Sequence, residues 1–288
     1  MDIGLLKTFL EVNRTRHFGQ AAENLFLTQS AVSARIRLLE QTVGIPLFTR
    51  TRNNIELTPA GQKLLKHADT ILNTWNRAKQ EIAIEETSHI PLAVGGVPSL
   101  WDILLQHWLN DLVSKDDKVI VHAEVHGPEM LMRRLIDGLL DVAFTFESLQ
   151  MTELPVQEIG DINLVMVSTH PDLLAAQAIE KNYVLVNWGT SFAITHAQHF
   201  HDIPPPRLHV HLGRIGLAYI LECGGTAYLA ESMVTEALNS NVLFKVVDAP
   251  VIKRMVYAAY SPHTNQREFL ENSIASIKND LFLQDPQA

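Results

Sequence analysis

One cysteine, Cys223, is all that 288 residues contain. No intrachain disulfide can form, and a cytoplasmic address is expected. No stretch approaches the roughly 18 consecutive apolar residues of a membrane span. Met1-Asp2-Ile3-Gly4 has no basic segment leading into an apolar one, so no secretory signal is read. No internal repeat or low-complexity segment stands out. Catalytic signatures are also missing. There is no Gly-x-Ser-x-Gly elbow, no His-Glu-x-x-His and no paired zinc-ligand motif. Gly224-Gly225 is followed by no P-loop lysine. Cys223 falls in a helical stretch, where a buried, inert packing thiol is expected. Little therefore supports an enzyme.

Basic residues are scarce as well. There are 23 Lys and Arg against 32 Asp and Glu, a net charge of −9. Taken as an average, that disfavours nucleic acid as a partner. The average hides an asymmetry: residues 1–66 hold nine basic and five acidic groups, a net of +4, and the remainder carries −13. A basic head on an acidic body is a pattern worth following. With 47% apolar and 19% charged residues, the chain is of ordinary globular composition. Its length suits two domains or three small ones, at about 100–200 residues each.

The head reads as helices followed by a hairpin. Leu5, Leu6, Phe9, Leu10 and Val12 recur at helical spacing. Phe18, Ala21, Ala22 and Leu25 mark a second short helix. Thr28 stands as the N-cap of a third, through Val32, Ile36 and Leu39, which stops before Gly44 and Pro46. Alternating residues then flank Asn53-Asn54, the dipeptide of a small hairpin turn.

Thr58-Pro59 opens a long helix that runs to about Glu86. Leu64, Ala68, Ile71, Trp75, Ala78 and Ile82 form a heptad seam along it. Two readings stand: a helix lying on its own domain, or a dimerisation helix between a basic unit and an acidic one. The segment Thr87–Pro91 reads as a hinge. Beyond it, strand-like runs (92–95, 119–125, 141–146, 163–168, 183–187, 207–211, 227–229 and 251–260) alternate with helical patterns (100–112, 130–139, 215–223 and 267–282). That alternation predicts a mainly parallel sheet covered by helices on both faces.

On a helical wheel, Gln29, Ser30, Ser33, Ala34 and Arg37 share one sector of about 140°, opposite Val32, Ile36 and Leu39. A helix entering the major groove needs such a face. Short polar side chains allow close approach, an amide suits adenine, and a guanidinium suits phosphate or guanine. An ordinary solvated helix face is the plainer alternative. Arg35 falls toward the buried sector, where a structural role competes with a DNA contact.

These residues carry a family resemblance. Phe18-Gly19-Gln20-Ala21-Ala22-Glu23-Asn24-Leu25 resembles the first half of a LysR-type helix-turn-helix. Thr28-Gln29-Ser30-Ala31-Val32-Ser33, with Ile36, Leu39-Glu40, Gly44 and Leu47-Phe48-Thr49-Arg50, resembles its second half. Leu57-Thr58-Pro59-Ala60-Gly61 resembles the wing exit and linker start. The resemblance implies an all-α winged helix-turn-helix domain (1–58), a linker and dimerisation helix (59–87) and an α/β effector domain (91–288). That last domain would be two-lobed like periplasmic binding proteins, with lobe I at about 91–162 and 263–288 and lobe II at about 163–262.

By position, Gln29, Ser30 and Ser33 would meet base edges and nearby phosphates, and Arg37 the backbone. Arg50 and Arg52 would bring the wing to phosphate or the minor groove. For Arg50, an intramolecular salt bridge holding the wing is the alternative. Ala34 departs from the basic or polar residue common in the family; its methyl can still contact thymine. The implied partners are a double-stranded DNA operator with an interrupted palindrome, a second copy in a homodimer or a homotetramer of two such dimers, and a small-molecule effector. No cofactor, metal or membrane is implied.

Pro98-Ser99-Leu100, Thr145 with Glu147, and Trp188 with Thr190 sit at strand ends and are the expected effector pocket. Ser99 could cap its helix or donate to an anion. Trp101, Trp108 and Trp188 also suit a core. His196, His199, His201, His209 and His211 read chiefly as a solvated histidine-rich loop. A closer resemblance within the family, to a regulator linked to flagellar genes, runs through Leu5–Phe9, Thr15–Gly19, Arg35-Ile36-Arg37, Ser99-Leu100-Trp101 and Trp188-Gly189. It implies a repressor of such genes, in a family whose regulators often both repress and activate. The competing functional class is a small-molecule-binding protein or transferase on the α/β body, without a DNA-regulatory role.

Overall fold

The computed structural model describes residues 2–51, 54–85, 89–148, 154–201 and 203–283. They form two compact units, Met1–Thr87 and Ser88–Ala288. The first contains α1 (Ile3–Thr15), α2 (Phe18–Asn24), α3 (Gln29–Val43), β1 (Phe48–Thr51), β2 (Asn54–Leu57) and α4 (Pro59–Glu85).

Local chemistry starts each helix. The Asp2 carboxylate accepts the Gly4 N–H, His17 Nδ1 accepts that of Gln20, and Thr28 Oγ1 accepts that of Ala31. Thr58 Oγ1 does the same for Gly61, ahead of Pro59 at the first helical position. Gly44, with φ of 81°, ends α3 in the left-handed conformation. The core gathers Leu6, Phe9, Val12, Ala21, Val32, Ile36, Leu39 and Leu47. A side chain at position 61 would run into the Leu47 carbonyl, so α4 leaves the wing at a point only glycine fits. In the hairpin, Thr51 pairs with Asn54. Asn54 therefore begins β2 and is not part of the turn, because the wing strands extend one residue further than side-chain alternation implied. Arg52 and Asn53 lie outside the described residues.

The heptad seam divides along α4. Ala68 is buried in the core of the first unit, and Leu64 and Ile71 pack against it. Further along, Trp75 and Ile82 are 46% and 66% exposed, and Ala78 is half-buried.

The second unit is built on one nine-stranded sheet. In one half, β3 (Ile90–Gly96) lies parallel between β4 (Val119–Val125) and β5 (Val142–Thr145). In the other, β7 (Tyr183–Val186) lies parallel between β8 (Leu208–Val210) and β9 (Thr226–Ala230). Two longer strands join the halves: β6 (Val156–Ser168) and β11 (Ile252–Tyr260) run antiparallel, with a bulge between Val256 and Tyr257. The short β10 (Phe244–Lys245) pairs with β6.

The mainly parallel sheet expected from the alternation is thus mixed at its centre. A chain that leaves one half and later returns must pass the joint twice in opposite directions. The first part of β6, Val156 to Ile162, was not legible because Gly160 and Asp161 interrupt its pattern. Pairing with β11 imposes its extended form.

Helix α5 (Pro98–Leu100) continues through a π-helical segment (Trp101–Leu105) into α6 (Gln106–Lys115). α7 (Pro128–Ile136), α8 (Ala175–Glu180), α9 (Thr190–His199), α10 (Gly213–Cys223), α11 (Glu231–Asn239) and α12 (Arg267–Leu283) follow. Cys223 is exposed, against expectation. Gly216 and Ile220 take the buried face of α10, and Cys223 ends the helix on its outer side. Among the described residues, no helix is long and apolar enough to cross a membrane.

Candidate nucleic-acid interface

The face of α3 opposite its buried residues carries Gln29, Ser30, Ala34 and Arg37, all exposed, with Ser33 half-buried beside them. Ser30 Oγ lies 3.0 Å from Thr28 Oγ1, so the cap and the first turn share one hydroxyl pair. Arg35 points elsewhere. Its Nη1 donates to Thr8 Oγ1 at 3.5 Å, and Thr8, fully buried, donates in turn to the Gly4 carbonyl at 2.7 Å. Arg35 ties α3 to α1, and Arg37 is the arginine left on the polar face.

Two residues that sequence reasoning did not single out position the wing. Glu40 Oε1 accepts the backbone N–H groups of Leu47 and Phe48. Arg16, itself left-handed at φ of 53°, donates to the Ile55 carbonyl at 3.2 Å. The signal for Glu40 is a carboxylate following buried Leu39, late in a helix that ends just before an apolar strand. Arg50 sits in β1 opposite Ile55. Its side chain lies outside the described residues, as does Arg52 altogether.

In the second unit, Pro98 is exposed at the start of α5 and Ser99 and Leu100 are buried. The N-cap of α5 is Val97, which makes no side-chain cap. Ser99 therefore does not cap the helix, because Pro98 already occupies its first position. Thr145, buried at the end of β5, donates to the Glu147 carbonyl at 2.5 Å. Trp188 is buried, with its indole N–H on the Tyr228 carbonyl at 2.9 Å. Trp108 is likewise buried, and Trp101 is half-buried, donating to the Glu124 carbonyl. Thr190 is exposed at the start of α9.

The structure adds charges to this region. Arg254, buried on β11, meets Glu147 at 3.0 Å and stacks over Phe146 at 5.2 Å. Its period-two position between inward-facing Ile252 and Val256 is the sequence signal that could have found it. Gly189, at φ of 92°, lets the backbone pass so close that a Cβ there would stand 2.5 Å from Glu147 Oε1. Asp102, in the π-helical segment, pairs with Arg214 at the start of α10. This contact joins helices from the two halves, 112 residues apart in sequence.

The histidines separate. His196 is buried within an aromatic group of Tyr183, Phe192, Phe200 and Tyr228, with its Nε2 2.8 Å from Tyr183 Oη. It leaves the expected solvated loop because α9 presents it inward. Burial pulls its pKa down, and His199 adds to the effect. His199, His201, His209 and His211 are exposed. Among the described residues, no group of three or more His, Cys, Asp or Glu converges as a metal site would require.

Residues 3–62 match the family of bacterial regulatory helix-turn-helix proteins, lysR family, and residues 87–281 match the LysR substrate binding domain. The HTH-type transcriptional regulator HdfR of Yersinia enterocolitica serotype O:8 is 36% identical over 289 residues, covering 97% of each chain. HdfR of Escherichia fergusonii is 36% identical over 275 residues, 94% of this chain and 96% of that one. Among solved structures, CbnR, a LysR family transcriptional regulator, has a TM-score of 0.76 at 18% identity, with 98% of this chain and 99% of that one covered. Full-length CbnR complexed with its target DNA has a TM-score of 0.75 at 17% identity, with 98% and 100% covered. At such identities these two likenesses speak to the fold alone. With both units matched, and with relatives 36% identical along nearly the whole length, the chain belongs to the LysR family of transcriptional regulators, a family of regulators and not of enzymes.

Proposed function

We propose that residues 1–58 read DNA, that residues 59–87 pair two copies, and that residues 91–288 bind a small-molecule effector that sets the output. The operator is an interrupted palindrome read by two heads, in a homodimer or a tetramer of two such dimers, in the cytoplasm. Gln29, Ser30, Ser33 and Ala34 take base edges and nearby phosphates. Arg37, Arg50 and Arg52 take the backbone and the minor groove. One observation carries this reading: α3 keeps Gln29, Ser30, Ala34 and Arg37 exposed while Arg35 is turned inward.

Pairing assigns Trp75, Ala78 and Ile82 to the second copy, with Leu64, Ala68 and Ile71 anchoring the helix on its own head. The effector cleft lies between the lobes, bordered by Pro98, Ser99, Leu100, Thr145, Glu147, Trp188 and Thr190. Buried Leu100 and Trp188 serve there as walls. The regulated genes are flagellar and the effect is repression. This rests on the closer resemblance to a regulator linked to those genes, and on 36% identity to HdfR.

The test is a gel shift on the upstream region of the protein's own gene across a salt series. A specific shift is expected, and its complete absence would overturn the reading. Gln29→Ala with Ser33→Ala should relax sequence preference. Arg37→Ala should weaken all sequences alike and reduce the salt slope by about one. Mapping of bound sites, with a motility assay of the deletion strain, tests the flagellar targets. Unchanged swimming and no bound flagellar promoter would remove them.

A further inference from the structure

Phe26 is a large apolar side chain left 95% exposed. It stands in the turn between α2 and α3, three residues before Gln29. Its neighbours Leu25 and Leu27 both pack against the core of the first unit. The turn is held by backbone hydrogen bonds from Phe26 N–H to the Glu23 carbonyl and from Leu27 N–H to the Ala22 carbonyl. Phe26 itself sits at φ of 55°, the left-handed region that side chains with a Cβ avoid. Asn or Gly would serve such a turn better, and a polar residue would serve solvent better. Neither the turn nor the core accounts for a phenylalanine, yet the backbone holds the ring out beside the exposed start of α3.

We propose that Phe26 is a further DNA-contacting residue, which places its ring against the 5-methyl group of a thymine at the outer edge of each half-site. The proposal rests on the operator reading above, and Phe26 precedes the exposed Thr28, Gln29 and Ser30 by only two to four residues. The occupant follows from chemistry. A phenyl ring offers neither donor nor acceptor to a base edge and no charge to a phosphate. The thymine methyl is the apolar group displayed in the major groove. Phe26 thus adds sequence preference without adding a charged contact.

The experiment uses the full-length protein and the DNA fragment it shifts. Phe26→Asn and Phe26→Leu are compared with wild type on that fragment. They are also compared on copies in which each thymine is replaced singly by deoxyuridine. Phe26→Asn should lose about tenfold in affinity. Its slope of log K against log salt should be unchanged, and its thermal midpoint equal or higher, since Asn tolerates the turn. One deoxyuridine per half-site should weaken wild type about threefold to tenfold and leave Phe26→Asn unaffected. Phe26→Leu, still apolar, should keep part of both affinity and methyl sensitivity; it carries the test if Phe26→Asn fails to fold. Wild-type affinity in the variants, or equal deoxyuridine effects in variant and wild type, would overturn the inference. If Gln29→Ala and Arg37→Ala also bind as wild type, the operator reading itself has failed. If they weaken binding and the Phe26 variants do not, this inference alone has failed.

Discussion

Glu40 Oε1 accepts the backbone N–H of Leu47 at 2.8 Å. The same oxygen accepts from Phe48 at 3.3 Å, so one carboxylate on α3 holds the first residues of the wing. The spacing between α3 and the wing is thereby set by a side-chain contact. Charge-assisted bonds of this kind contribute about 1–3 kcal/mol together. Glu40→Ala should lower the stability of the head by that amount and weaken operator binding, measured by chemical denaturation and gel shift. Glu40→Gln, which keeps an acceptor, should recover most of the stability. Equal stability of Glu40→Ala and wild type would show that the wing is held by its apolar contacts alone.

Exposed Ile82 and Trp75 lie on the part of α4 that the head does not cover. Ile82→Glu should shift the protein toward monomer in sedimentation, with operator affinity reduced at least tenfold as the second head is lost. Leu64 packs inward, so Leu64→Ala should instead lower thermal stability while leaving assembly intact. If Ile82→Glu sediments as wild type, the seam is not the contact between copies.

Gly189 borders the Glu147–Arg254 pair at φ of 92°. Gly189→Ala brings both backbone strain and a Cβ 2.5 Å from Glu147 Oε1. It should cost about 1–3 kcal/mol in the stability of the second unit. Because the pair must shift, it should also change the response to any effector found in a thermal-shift screen. DNA binding by the head should persist. A variant as stable as wild type would mean the turn relaxes without disturbing Arg254.

His196 is held neutral by burial, with its Nε2 on Tyr183 Oη. Its folded pKa lies below the unfolded value of about 6.5. The unfolded chain therefore binds the proton more readily. The stabilisation from burying a neutral imidazole is complete above about pH 6.5 and falls away as the pH drops toward the folded pKa. Thermal midpoints at pH 7.5 and pH 5.5 should differ more for wild type than for His196→Gln, which hydrogen-bonds but does not titrate. Equal differences would assign the acid sensitivity to other groups.

Much of the head was legible because its signals are local. Thr28, Gly44, Thr58 and Pro59 act within a turn of where they stand, and the starts of α3 and α4 follow from them. In the second unit, strands with unbroken apolar runs, such as Tyr183–Val186, were legible for the same reason. The first half of β6, the short helix α8 and the two-residue β10 were not, since their own residues do not demand those conformations. Cys223 was misjudged for a related reason: helical periodicity tells that one face is buried, but not where the last residue of a short helix points.

The sequence by itself determined the basic head and acidic body, the capped helices, the polar face of α3 and the strand–helix alternation. Each depends on neighbours within a few positions, and propensity, capping and periodicity act at that range. Only the tertiary structure decided that Arg35, which falls toward the buried sector, meets Thr8 and so ties α3 to α1. It alone joined Arg254 to Glu147 and Asp102 to Arg214. The residues of each pair lie too far apart along the chain for any local pattern to record their meeting, and their geometry exists only once the sheet has closed between them.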